Sequence, residues 1–162
     1  MTRQVLTPQA LAQRPGIQTW VSFLRAHSAL TRALNADLLA EHGLTINDYE
    51  VLLHLARAPD RRLRRVDLSQ HLLLTASGIT RLLDGLERAG YVAKARCPTD
   101  QRVTYAVLTE EGRDKLRGAS KTHIAGIGER FESRFSEDEI RTLGALLERL
   151  PDDGPADAAC EP

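Results

Sequence analysis

The chain has 162 residues, enough for one domain with a core that needs no disulfide or metal support. No apolar run approaches the roughly 20 residues of a membrane span. Met1 to Pro15 also lacks the apolar stretch and cleavage site of a signal peptide, so the protein is expected to be cytoplasmic with no membrane partner.

Basic and acidic residues balance at 22 each, which taken alone argues against a nucleic-acid partner. Their distribution argues the other way: the segment from Arg57 to Arg102 holds ten basic and five acidic residues, leaving the rest of the chain acidic. A basic middle in an acidic frame can be steered to phosphate in one orientation.

Residues 1–15 read as a flexible arm closed by Arg14-Pro15-Gly16. From Ile17 to Glu41 the pattern is helical. Phe23, Leu30, Leu34 and Leu38 form one apolar line, and Trp20, Leu24 and His27 a second, so the helix needs covering from more than one side. Its own domain covers one face and a partner subunit is a candidate for the other. Gly43 is the stop.

Thr45 is an N-cap with Asp48 in the first turn of a helix carrying Tyr49, Leu52, Leu53 and Ala56, which ends before Pro59. An arginine-rich connection, Asp60 to Arg65, leads to a short helix from about Val66 to Leu73. Thr75 caps the next helix, Ala76 to Ala89, whose inward face is Ile79, Leu82, Leu83 and Leu86, stopped by Gly90.

Tyr91 to Arg96 and Val103 to Leu108 read as the strands of a hairpin whose loop holds Pro98, Thr99 and Asp100. Thr109 caps a long helix with the apolar stripe Leu116, Ile124, Ile127 and Phe131. Gly118, Gly126 and Gly128 weaken it by about 1 kcal/mol each relative to alanine and imply a close contact or a bend. Ser136 and Glu139 form a capping box for a last helix with Ile140, Leu143, Leu146, Leu147 and Leu150. Residues 151–162 read as a disordered acidic tail.

The order helix, short helix, turn, helix, hairpin is that of a helix-turn-helix with a wing, in which the second helix enters the major groove. Its outward face carries Ser77, Thr80, Arg81, Asp84 and Arg88. Arg81 has the forked donors that read guanine, and serine and threonine bond phosphates or base edges. Asp84 is suited to accept from cytosine or to hold Arg81 or Arg88. Periodicity alone fits the polar surface of a helical bundle equally well.

The stretches Leu68-Ser69-Gln70-His71-Leu72 and Thr75 to Val92 resemble the DNA-binding core of MarR-type (multiple antibiotic resistance) regulators. Asp100-Gln101-Arg102 followed by Leu108-Thr109-Glu110-Glu111-Gly112 matches that family's wing motif, D-x-R then L-T-x-x-G, with Gln101 where the family often has arginine. The resemblance spans about Trp20 to Leu150. It implies a mainly α winged helix-turn-helix fold with a small β-hairpin wing. The domain would span 16–150, with a winged core at about 45–109 and dimerisation helices at about 17–41 and 110–150. It further implies a homodimer on a pseudo-palindromic duplex operator, often a repressor released by a small aromatic or anionic ligand.

On that reading the DNA contacts are Ser77, Thr80, Arg81, Arg88, Arg96 and Arg102, with Asp100 holding Arg102. Candidates for an effector site near the junction of the two parts are Trp20, His27, His54 and Arg57, although Trp20 and His27 also fit ordinary core positions.

Cys97, beside Arg96 and Arg102, admits a redox switch, or is an unreactive thiol before a proline. The two cysteines and five histidines show no metal-ligand spacing, and neither a metal nor a cofactor is expected. A winged-helix protein interaction module without DNA binding is the rival reading, opposed by Arg81, Arg88, Lys94, Arg96 and Arg102. No paired catalytic carboxylates, activated nucleophile or phosphate loop suggests an enzyme.

Overall fold

Each helix begins where the chain supplies a partner for the first unpaired backbone donors. A computed structural model describes residues 13–72, 74–96 and 103–150. Helix α1 (Pro15–His42) opens on a proline and ends at Gly43, whose φ of 63° is the left-handed conformation that suits glycine. Helix α2 (Ile46–Arg57) starts at a reciprocal capping box: Thr45 N–H donates to Asp48 at 2.8 Å, and Asp48 N–H donates to Thr45 Oγ1 at 3.1 Å. Asn35 of α1 accepts from Ile46 N–H at 2.9 Å, tying the start of α2 to α1.

A 3₁₀ turn (Pro59–Arg61) follows, with Asp60 and Arg61 at φ 51° and 55°. Then come strand β1 (Arg62–Arg64), helix α3 (Arg65–His71), helix α4 (Ala76–Arg88), and strands β2 (Val92–Arg96) and β3 (Thr104–Leu108). Helix α5 (Glu110–Arg130), a second 3₁₀ turn (Glu132–Arg134) and helix α6 (Glu137–Leu147) follow in turn.

The sheet is antiparallel in the order β1-β3-β2, with Leu63 opposite Ala106 and Val92 opposite Leu108. Strand β1 corrects the expectation of a plain connection between Asp60 and Arg65. It pairs with the open edge of β3, and the Arg62 guanidinium lies 5.1 Å from the Tyr105 ring centre.

The core sits around α2, which packs against α1, α4, α5, β1 and β3. Leu38, Val51, Leu52, Leu55, Leu68 and Leu83 are fully buried. Truncating any of these leucines to alanine costs about 2–5 kcal/mol.

Helices α1 and α5 approach closely at Gly126, where a Cβ would lie 2.8 Å from Leu34 Cδ2, so close contact rather than a bend explains this glycine. Arg130 reaches Asp37 at 2.7 Å beside it, and His42 Nε2 meets Thr122 Oγ1 at 2.8 Å further along. Ile124, read as part of the apolar stripe of α5, faces outward and is 65% exposed. Ile17, Trp20, Phe23 and Leu24 of α1, Leu146 of α6 and Leu150 just past it are also exposed. Among the described residues no helix is long and apolar enough to cross a membrane.

Candidate nucleic-acid interface

Helices α3 and α4 form the helix-turn-helix. Leu68 anchors α3, and Leu74 N–H donates back to Ser69 O at 3.0 Å to fix the turn. Thr75 caps α4, accepting from Gly78 N–H at 3.2 Å. Ile79, Leu83 and Leu86 bury one side of α4 in the core, which turns Ser77, Arg81 and Arg88 to solvent. Thr80 is half-buried, so it stands further from the outward face than its neighbours. Arg81 forms no ion pair with any described residue, whereas Arg88 Nε donates to the Asp84 carbonyl at 3.2 Å and so lies back along the helix.

The Asp84 carboxylate turns away from both arginines. It faces Lys94 Nζ at 3.2 Å and Arg65 Nη2 at 3.9 Å, which corrects the expectation that it holds Arg81 or Arg88. Glu87 joins the same cluster, pairing with Lys94 and lying 3.7 Å from Arg65. Its hydrogen bond, then that of Asp84, raises the Lys94 pKa and keeps the ammonium charged. Neither Arg65 nor Glu87 carries a role in the sequence expectations. The Asp84–Glu87 spacing on one helix face, with Lys94 just beyond the Gly90 stop, was the available signal.

Much of the basic segment is neutralised in this way. Arg61 pairs with Glu110 at 2.6 Å, Arg62 with Asp60 at 3.2 Å, and Arg64 with both oxygens of Asp67 at 2.8 Å. Arg57, Arg81, Arg88 and Arg96 are exposed and form no ion pair with described residues, Arg88 bonding only a backbone carbonyl, and they are the cations open to phosphate there. Asp100, Arg102 and Cys97 lie outside the described residues.

The wing is tied to α5 by a compact junction. Thr109 caps α5 through Gly112 N–H at 2.9 Å, and its hydroxyl donates to Gly90 O at 2.8 Å. Its own N–H donates to Tyr91 O at 3.1 Å. A Cβ on Gly112 would lie 2.1 Å from that Tyr91 oxygen, so only glycine fits there. This gives the L-T-x-x-G spacing its physical content.

The four residues expected near an effector do not converge. Trp20 is 54% exposed and lies 6.0 Å ring to ring from Phe23, so within one chain it is not a core residue. His54 stacks on His71 at 4.7 Å, and Arg57 is exposed at the end of α2. His27 alone of the four lines a groove of about 430 Å³ with Ser28, Thr31 and Arg32 of α1 and Ile46 and Asn47 of α2. Ser28 and Arg32 carry it onto the open face of α1 beside Val21, Leu24 and Arg25. Arg25 and Arg32, missed in the sequence, are exposed there without an ion pair to described residues.

A model of the MarR family matches residues 42–103. The HTH-type transcriptional repressor YetL of Bacillus subtilis (strain 168) is 33% identical over 114 residues, 68% of each chain. The chain belongs to the MarR family. It is a DNA-binding transcriptional regulator of the winged helix-turn-helix type, and α4 is the second helix of that motif and the β2–β3 hairpin its wing.

A MarR family regulator from Streptomyces coelicolor, solved in complex with DNA, superposes with a TM-score of 0.77. It is 27% identical, and the match covers 91% of this chain and 88% of that one. CouR from Rhodococcus jostii RHA1, solved with bound p-coumaroyl-CoA, gives a TM-score of 0.69 at 26% identity, covering 86% and 93%.

Proposed function

We propose that the chain acts as a homodimeric repressor that occupies a pseudo-palindromic operator and leaves it when a small aromatic or anionic effector binds. The observation that carries the reading is the apolar surface left on both terminal helices, including Trp20, 54% exposed, and Leu146, 51% exposed. A second copy related by two-fold symmetry would cover it and set two recognition helices for two half-sites. Repression follows the named activity of the YetL relative, and effector release the ligand held by CouR.

On each half-site Arg81 reads a base, Ser77, Thr80, Arg88 and Arg96 serve as phosphate or base-edge contacts, and Arg102 at the wing reaches the groove with Asp100 orienting it. The regulator works by binding, without catalysis, in the cytoplasm where its operator lies.

The effector site is the groove along α1, with Arg25 and Arg32 as partners for an anionic end and His27 beside them. Trp20 stands on the same helix as an optical probe, and His54 and Arg57 do not line this groove. An effector releases DNA only by favouring the DNA-incompetent form, because equal affinity for both forms shifts nothing. A panel of aromatic acids and their thioesters is therefore titrated against the protein–DNA complex, with Trp20 fluorescence and sedimentation read in parallel. A dimer that some panel member displaces from DNA supports the reading. A monomer at micromolar concentration, with and without DNA, overturns it.

A further inference from the structure

The cluster formed by Arg65, Asp84, Glu87 and Lys94 lies where the recognition helix meets the wing. Asp84 stands three residues after Arg81 and seven after Ser77, so it shares their helix face. Lys94 projects from strand β2 with its side chain 46% exposed, and Asp84 is similarly open at 48%. Both are exposed beside the helix face that carries Arg81. Glu87 is more enclosed, at 19%, and meets Lys94 directly. Arg65 is drawn behind them, its buried Nη2 without a hydrogen bond to a described residue and 3.7 Å from Glu87.

The cluster thus sets two carboxylates against two cations at the edge of a surface built for a polyanion. The exposed Asp84–Lys94 pair adds little to folding, so stability does not account for that contact. Phosphate affinity does not account for it either, since a free Lys94 would bind DNA better than one held by Glu87 and Asp84. What the arrangement does supply is restraint. Sequence-independent binding grows steeply with each cation available to phosphate. A regulator searching a genome depends on the ratio of operator affinity to that background.

We propose that Glu87 and Asp84 withhold Lys94 from DNA phosphate, so that the cluster is a specificity-determining element that lowers non-specific affinity. Arg65 holds the two carboxylates in place from behind and is a positioning residue. The proposal rests on the DNA-binding reading above and concerns contacts which that reading leaves unassigned.

The test measures affinity for a random-sequence duplex across a salt series, using the full chain and its variants. Glu87→Gln is expected to raise affinity by roughly three- to tenfold at about 0.1 M salt and to steepen the log–log salt slope by about 0.9 per released lysine. Lys94→Met is expected to leave the wild-type slope unchanged. The double variant Glu87→Gln/Lys94→Met is expected to lose the gain. Glu129→Gln, the same charge change far along α5, is the control and is expected to give no comparable gain.

The proposal is overturned if Lys94→Met alone makes the slope shallower by about 0.9, for then Lys94 is itself a phosphate contact. It is equally overturned if Glu129→Gln matches Glu87→Gln, or if Glu87→Gln leaves affinity unchanged or lowers it. Melting temperatures accompany each variant, and if Glu87→Gln does not fold, the Lys94→Met slope decides alone. A wild-type protein that binds no duplex refutes the DNA-binding reading instead, which keeps the two failures apart.

Discussion

Replacing Gly112 by alanine sets two effects of opposite sign against each other. Helix propensity alone favours alanine by at most about 1 kcal/mol, the value for a helix interior, since Gly112 lies in the first turn of α5. The junction opposes it, because the new Cβ would stand 2.1 Å from Tyr91 O and 2.9 Å from Leu108 Cδ1, against 3.4–4 Å for ordinary contact. The nearer atom is backbone, and it already accepts the Thr109 N–H at 3.1 Å, so it cannot withdraw without loosening that bond.

Overpacking of this kind costs about 1–3 kcal/mol, and a weakened junction hydrogen bond about 1 kcal/mol more. After the propensity gain, a net loss of about 2 kcal/mol remains, or roughly 4–8 °C in melting temperature for a chain of this size. Gly85→Ala is the matched comparison: that glycine lies inside α4, and a methyl group added there would meet nothing within 4 Å, so alanine is expected to raise stability slightly. Thermal denaturation of both variants at one protein concentration provides the assay. A Gly112→Ala protein that melts at or above wild type would refute the steric reasoning.

Arg81→Ala is expected to weaken operator binding by about 1–3 kcal/mol and relax preference at one position of each half-site; equal losses on specific and random duplexes would reduce Arg81 to a phosphate contact. Arg102→Ala is expected to leave melting unchanged while making the salt slope shallower by about 0.9 per wing, with Asp100→Ala giving a smaller affinity loss at nearly wild-type slope. Wild-type affinity and slope in Arg102→Ala would remove the wing contact. Burial against Tyr49 lowers the His123 pKa, so the folded state resists a proton that the unfolded chain accepts. Stability from this group is therefore complete above about pH 6.5 and declines as pH falls below it. Urea midpoints between about pH 7.5 and pH 5.5 should show a smaller decline in His123→Phe, and parallel declines in the two proteins would count against it.

Helix starts were legible in the sequence because capping is local. Thr45 with Asp48, Thr75, Thr109, and Ser136 with Glu139 each accept the bond their spacing predicts. Strand β1 was not legible, since three residues cannot show a period of two and its pairing depends on the distant edge of β3. The charge surplus between Arg57 and Arg102 was countable, but which cations remain free was not. Arg61 is neutralised by Glu110, far along the chain, and Lys94 by carboxylates of another element.

Glycine spacing on α5 likewise could not separate Gly126, pressed against Leu34, from Gly128, which meets only the Glu132 side chain at 3.6 Å. The line of Trp20, Leu24 and His27 was readable along one helix. That His27 faces the start of α2, while His54 faces His71, required the packing of helices in space.

In the proposed complex, two copies of this chain present two α4 helices to successive major grooves of one operator. Selection of duplex fragments from the source genome by the purified protein tests it most directly. The predicted result is recovery of fragments that share an inverted repeat with half-site centres about one helical turn, roughly 10 base pairs, apart. Recovery of fragments with no common repeat, at the frequency of random DNA, would contradict it.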